Sequence, residues 1–254
     1  MQIMHTACTW PVYGIITSVV GNPHQIFRGV AQLASAPRLG RGGRRFKSSH
    51  PDHDMSKQTT IYLVRHGESE FNKQSLITGH LDPPLTEEGK RQAQAAKLNL
   101  GNIKFDAVYT SDLERAVHTG EIIYGSRVPM ANRLPNLRER NFGSLDGKPS
   151  HTWDTVSAIK KRIPHYERVH YKHVPDMESD HEMTERFIAA LKKVAGQNRG
   201  KTILVVAHGG AIRTALVKML GLTDEEMPPG SIGNAGFAEL IYKNNGFEVK
   251  KIKP

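Results

Sequence analysis

Thr60-Ile-Tyr-Leu-Val-Arg-His-Gly-Glu-Ser69 decides the reading of this chain. Thr60 to Val64 have strong strand preference, and a short apolar run closed by glycine reads as a buried strand of a parallel sheet. Such a strand ends in a loop at its carboxyl edge, where open α/β sheets place their ligands. Arg65 brings a fixed positive charge to that edge, and His66 a nucleophile that works near neutral pH. The same grammar returns at Thr202-Ile-Leu-Val-Val-Ala-His-Gly-Gly210. Two strands thus each deliver a histidine followed by glycine to one kind of edge, a combination suited to phosphoryl transfer.

Beyond the first unit, Thr86 precedes the run Glu87 to Leu98, an N-cap followed by two glutamates at the positive end of a helix. Phe105 to Thr110 reads as a short strand, followed by Ser111 and Asp112 as caps and a helix from Leu113 to about Tyr124. The buried face of that helix is Leu113, Ala116, Val117, Gly120, Ile123 and Tyr124, with Arg115 off the face and directed toward the edge that holds His66. Pro129, Pro135, Pro149, Pro164 and Pro175 divide residues 128–175 into short pieces, with a helix over 151–162. Ser179-Asp-His-Glu182 is a capping box for a helix with Met183, Phe187, Leu191 and Val194 on its buried stripe and Gly196 at its end. A helix over 211–220 stopped by Gly221 follows the second unit, and Asn244-Asn-Gly246 turns a terminal hairpin. Alternating strands and helices predict an α/β fold, a three-layer α/β/α sandwich on a mostly parallel central sheet.

The formal net charge of +10 is unevenly spread: six of the 35 Lys and Arg residues fall in residues 1–50, which contain no acid, leaving 29 basic against 25 acidic residues elsewhere. Basicity so confined does not argue for a nucleic-acid partner. Cys8 is the only cysteine, which excludes an intramolecular disulfide and a multi-thiolate zinc site and points to a cytoplasmic location. The longest apolar stretch, Val12 to Val20, falls far short of the ~20 residues of a membrane span. No membrane partner is expected. Residues 1–54 lack periodicity and are rich in Gly, Pro, Ser and Arg. Within them, Gly29-Val-Ala-Gln-Leu33 and Arg44-Arg-Phe-Lys-Ser-Ser-His-Pro51 resemble the conceptual translation of a transfer-RNA gene. Residues 1–54 are therefore expected to be a spurious extension ahead of a true start at Met55, or else a disordered basic tail, and 55–254 to form the domain. The histidines of His165-Tyr-Glu-Arg-Val-His-Tyr-Lys-His173 sit five and three apart among prolines, which suits a solvated basic surface better than a metal site.

Met55 to Pro254 resembles the histidine phosphatase superfamily, also called phosphoglycerate-mutase-like. The resemblance rests on Arg65-His-Gly-Glu-Ser69, Asn72, Thr78-Gly79, Pro84-Leu-Thr-Glu-Glu-Gly89 and Ser111-Asp-Leu-Glu-Arg-Ala116, then Leu137-Arg-Glu-Arg-Asn-Phe-Gly143, Glu178-Ser179 and Ala207-His-Gly-Gly210. It implies a catalytic set of His66, Glu139 and His208. His66 is the nucleophile, forming a phosphohistidine, and Glu139 the proton donor. Arg65, Arg115 and His208 surround the phosphoryl oxygens, while Asn72 and the backbone at Thr78 and Gly79 add neutral donors. No metal or organic cofactor is required. Structural readings stand beside these: Arg115 pairing with Glu114 or Glu121, and Asn72 and Thr78 as turn or capping residues.

The implied activity is that of a phosphomonoesterase acting on small phosphorylated metabolites. The alternatives are a cofactor-dependent phosphoglycerate mutase and a non-catalytic binder of phosphorylated ligands. Residues 144–178 form a shorter closing segment than the resemblance implies for a mutase. Lys160, Lys161, Arg162, Arg168 and Lys172, with His165, His170 and His173, form a basic rim that favours multiply anionic esters.

Overall fold

The computed structural model describes residues 57–254, so the expectation for residues 1–54 lies outside the described residues. Its centre is strand β1 (Thr59–Arg65), in a five-stranded sheet of order β2-β3-β1-β4-β5. Helices α1 (Glu70–Lys73) and α2 (Glu87–Leu100) follow β1, and β2 (Ala107–Thr110) leads to α3 (Glu114–Tyr124). Residues 125–179 contain only short helices, among them α4 (Thr152–Lys161) and α5 (His165–Arg168). Regularity returns with α6 (Asp180–Gln197), β3 (Thr202–Ala207), α7 (Gly209–Leu220), β4 (Phe237–Lys243) and β5 (Gly246–Lys253). β3 pairs in parallel with β1 and β2, whereas β4 runs antiparallel to both β1 and β5. Only β4 is reversed, so the sheet is mostly parallel.

Side-chain alternation explains the layers. Ile61, Leu63, Ile203, Val205 and Ala207 face Met183, Phe187 and Leu191 of α6 and Ile212 and Leu216 of α7. Val64, Leu204 and Val206 face the other way, onto Ala96 and Leu100 of α2 and Ala116, Val117 and Ile123 of α3. Both faces are apolar because both are covered, as the uninterrupted runs of β1 and β3 require. A third, smaller cluster of Ile77, Leu145, Val156 and Met177 lies within the irregular segments.

The local signals mostly act as read. The Thr86 hydroxyl accepts the Gly89 N–H at 2.9 Å, and Ser179 and Glu182 cap each other reciprocally. Asn244 and Asn245 turn the hairpin with φ of 52° and 60°, the left-handed values of a type I′ turn. Two readings are corrected. Gly196 does not end α6, which continues to Gln197; Asn198 closes it, its amide donating to the Val194 carbonyl and to Tyr109. Ser111 and Asp112 do not cap α3 as expected. The first N–H of that helix, at Glu114, instead donates to Asp82 Oδ2 from a distant loop, at 2.7 Å.

Gly67 and Gly89 meet back to back where the β1 loop crosses the start of α2. A Cβ on Gly89 would overlap the Glu68 carbonyl, and one on Gly67 would overlap the Gly89 carbonyl. Replacing a helical glycine by alanine ordinarily stabilises by about 1 kcal/mol. Gly89→Ala is expected to reverse that sign and lower the midpoint of urea unfolding. An unchanged or raised midpoint would show that the loop and helix can separate freely.

Candidate active site

Because β1 and β3 pair in parallel with Arg65 opposite Ala207, the residues that follow them, His66 and His208, leave the sheet side by side. Their ring centroids are 5.0 Å apart. His66 N–H still donates to the Ala207 carbonyl, so the first histidine is fixed by the sheet itself. Its Nδ1 lies 2.6 Å from the Gly67 carbonyl. A carbonyl only accepts, so the proton sits on Nδ1 and the lone pair on Nε2. Both rings are buried. Burial, and then the nearby charges of Arg115 and Arg65, hold His66 well below the ordinary histidine value, against the opposing pull of the Gly67 bond. Burial and Arg115 likewise hold His208 well below it, with His66, Arg65 and His80 adding to the effect. Both imidazoles are neutral near pH 7.

Arg65 is anchored by Nη1, which donates to the Ile232 carbonyl at 2.7 Å. Arg115 is wholly buried, contrary to the expectation that it lies off the inner face of α3. It pairs with neither Glu114 nor Glu121. Its Nη2 donates to the Gly79 carbonyl at 2.6 Å and its Nη1 to the Leu81 carbonyl at 2.8 Å, with Asp82 at 3.2 Å. Burial pulls both guanidiniums down from their ordinary value, opposed at Arg65 by Glu139 and at Arg115 by Asp82 and then Glu139. Among the described residues, Arg65 Nε, Arg115 Nε and His208 Nδ1 are buried nitrogens without a hydrogen-bond partner. Buried polar groups are nearly always bonded, so three spare nitrogens in one region are unusual.

Glu139 stands at the head of α7. Its Oε1 accepts the N–H groups of Arg140 and Ala211, both at 2.9 Å, and its Oε2 that of Gly210 at 2.8 Å. A carboxylate has about four acceptor sites, so one remains. The two glycines of the second unit are required by packing: a Cβ on Gly209 would lie 3.0 Å from Arg65 Nε, and one on Gly210 would lie 2.7 Å from Glu139 Oε1. Arg186 steadies the Glu139 segment by pairing with Glu178 and donating to the carbonyls of Asn136, Arg138 and Glu139.

Arg65, His66, Asn72, Thr78 and Glu139 line one cleft of about 480 Å³, together with Trp153, Gly210 and Arg213. Arg115, His208 and Gly79 are not in its lining. Asn72 keeps its capping role, since Oδ1 accepts the Ser69 N–H at 3.1 Å, which leaves Nδ2 as its donor. The Thr78 hydroxyl donates to the Leu76 carbonyl at 3.1 Å. The expected backbone donor at Gly79 is corrected: its N–H is taken by Asp146 Oδ1 at 2.7 Å. Ser111 and Asn234 adjoin the two histidines without being among the site residues the sequence points to. Ser111 Oγ lies 2.7 Å from His208 Nε2, and Asn234 Nδ2 donates to the His66 carbonyl at 3.2 Å. Ser-Asp ahead of a helix reads locally as a cap, which hid the first; nothing local marks the second.

The basic rim is less free than its composition implies. Lys160 is largely buried and shares Asp180 with Arg140. Lys172 pairs with Glu182, helping to draw that carboxylate down to about 2. Lys161 and Arg162 remain exposed.

An edge-sited neutral histidine near two buried guanidiniums, in one cleft with a helix-capping carboxylate, is an arrangement suited to handling phosphate. A family model of the histidine phosphatase superfamily (branch 1) matches residues 61–253. The Bacillus subtilis (strain 168) protein described as uncharacterized phosphatase PhoE is 31% identical over 192 residues, covering 76% of this chain and 93% of its own. The 2,3-bisphosphoglycerate-dependent phosphoglycerate mutase of Bartonella henselae is 33% identical over 181 residues, covering 67% and 85%. Among solved structures, Bacillus stearothermophilus YhfR matches with a TM-score of 0.65 at 27% identity, covering 75% of this chain and 95% of that one. The chain belongs to the histidine phosphatase superfamily.

Burying two neutral histidines has a pH signature. Below about pH 6.5 the unfolded chain takes up protons that native His66 and His208 refuse, so ν is larger in the unfolded state and stability falls as pH drops. The contribution is complete above about pH 6.5 and is lost at up to ~1.4 kcal/mol per pH unit for each ring. The melting temperature should decline from pH 7 to pH 5, and His66→Gln and His208→Gln should each flatten that decline. Equal slopes in wild type and both variants would refute the assignment of neutral rings.

Proposed function

We propose that the protein hydrolyses phosphomonoesters in two displacements, through a phosphohistidine on Nε2 of His66. The observation that carries this reading is the hydrogen bond from His66 Nδ1 to the Gly67 carbonyl, which reserves the other ring nitrogen of a buried, neutral imidazole for attack. Nε2 attacks phosphorus as the bond to the leaving oxygen breaks, and Glu139 gives that oxygen a proton. Water then attacks the phosphohistidine, Glu139 takes its proton, and phosphate leaves as the imidazole lone pair is restored. Arg65 Nε, Arg115 Nε and His208 Nδ1 are the donors available to the phosphoryl oxygens. Asn72 adds its amide. Arginine suits this task because its charge survives burial.

The cleft continues past Arg140, Trp153, Arg213 and Pro229 into a neighbouring chamber of about 260 Å³. Lys160, Lys161 and Arg168 line that chamber together with Asp180, Asp224 and Glu225, and Lys160 is paired with Asp180. Substrates on this reading are small phosphorylated metabolites with room for a leaving group larger than three carbons and for a further acidic group. The similarity to a phosphoglycerate mutase keeps a second reading in view. A mutase must retain its product and keep water from the phosphohistidine, and the short segment 144–178 is a slight cover for that purpose.

Brief reaction with labelled 3-phosphoglycerate or phosphoserine is expected to leave acid-labile, alkali-stable phosphate on His66 and then free phosphate. Label on a serine would overturn the nucleophile. Interconversion of 3- and 2-phosphoglycerate with little phosphate released would favour the mutase. Glu139→Gln should slow hydrolysis of alkyl phosphates by about 10²–10⁴ and that of 4-nitrophenyl phosphate much less, since a good leaving group needs no proton. Equal losses would remove Glu139 from the acid role.

A further inference from the structure

Ser111 lies wholly buried just past the end of β2, its N–H donating to the Val206 carbonyl at 3.1 Å. β2 pairs with β3 with Thr110 opposite Val206, which brings the serine hydroxyl to the Nε2 edge of the His208 ring. Ser111 Oγ has two partners among the described residues: His208 Nε2 at 2.7 Å and the Leu113 N–H at 3.4 Å. The second is itself a donor and can only be accepted. The hydroxyl proton therefore has one acceptor within reach, the lone pair of His208 Nε2.

We infer that Ser111 is a positioning residue that sets the tautomer of His208: its hydroxyl donates to Nε2, which places the imidazole proton on Nδ1 and makes Nδ1 the donor to the transferring phosphoryl group. The inference rests on the reading of His66 and His208 as one phosphate site. A neutral imidazole has one donor and one acceptor nitrogen, and the bond made by one decides the role of the other. In the opposite tautomer a bare lone pair on Nδ1 would confront the phosphoryl oxygens, and the serine proton would have no acceptor. Nδ1 is buried and has no hydrogen-bond partner, as a donor kept for substrate requires. Burial and the neighbouring charges, which keep His208 neutral, make the choice of tautomer consequential.

The full chain labelled with ¹⁵N-histidine tests the tautomer directly. The His208 resonances, assigned by their loss in His208→Ala, should show a protonated Nδ1 and an unprotonated Nε2. A proton on Nε2 in the wild type overturns the inference whatever the variants do. With 4-nitrophenyl phosphate, Ser111→Ala should lower kcat roughly 10- to 100-fold with little change in KM, less than the 10²–10³ typical of deleting an oxyanion donor. In a His208→Ala background the same change should cost nothing more. An equal loss in both backgrounds would make Ser111 merely structural and overturn the assignment. Wild-type turnover in His208→Ala would instead defeat the underlying site reading, and this inference with it.

Discussion

The register between β1 and β3 is the constraint from which the site follows. Arg65 lies opposite Ala207, so the residues that follow them, His66 and His208, leave the sheet together. A slip of one residue would reverse every side chain of one strand, placing Ile61 and Leu63 on the face of α2 and α3 and separating the two rings. Register is costly to change because both faces of both strands are packed. The hydrophobic core and the chemical geometry thus have a common cause.

Two guanidiniums enter the interior beside those rings. Burying a charge is expensive unless hydrogen bonds and opposite charge surround it. The fold supplies both mainly from backbone: the Ile232 carbonyl for Arg65, and the Gly79 and Leu81 carbonyls for Arg115, with Asp82 as counter-charge. Loops distant in sequence are thereby drawn to one place by the cations they solvate. Burial first, and then the same positive charge, hold both imidazoles well below the ordinary histidine value, so the cations and the neutral rings belong to one arrangement.

What the sequence discloses is what local chemistry controls. The two strand–His–Gly units, the Thr86 cap, the Ser179–Glu182 box and the Asn-Asn turn each show in a few adjacent residues. They suffice for the layers, most of the helix limits and the cleft pair His66 and Arg65, whereas Glu139 is found only through the family resemblance of residues 137–143. The features that escape are fixed by partners far along the chain. Ser111 imitates a cap, and only the pairing of β2 with β3 turns it toward His208. Arg115 is legible as a residue turned toward the His66 edge, but its complete burial depends on the carbonyls of Gly79 and Leu81. Gly79 loses its N–H to Asp146, and Lys160 is drawn inward by Asp180, interactions for which no neighbouring residue gives a sign.

Asn141 and Glu178 hold the two ends of the irregular segment together. The Asn141 N–H donates to Glu178 Oε2, and the Glu178 N–H donates to the Asn141 carbonyl, each at 2.8 Å. Arg186 of α6 grips the Glu178 carboxylate and holds it, despite burial, below the usual carboxylate range. Everything between residues 141 and 178 is consequently an excursion closed at its neck. Closing a loop costs entropy that grows only with the logarithm of its length, about 0.6 kcal/mol for each doubling. The excursion can therefore be lengthened, shortened or exchanged while Glu139, outside the neck, keeps its place. The ceiling of the cleft can thus vary in length while its neck at Asn141 and Glu178 stays closed, provided Asp146 is kept to hold the Gly79 and Leu81 N–H groups.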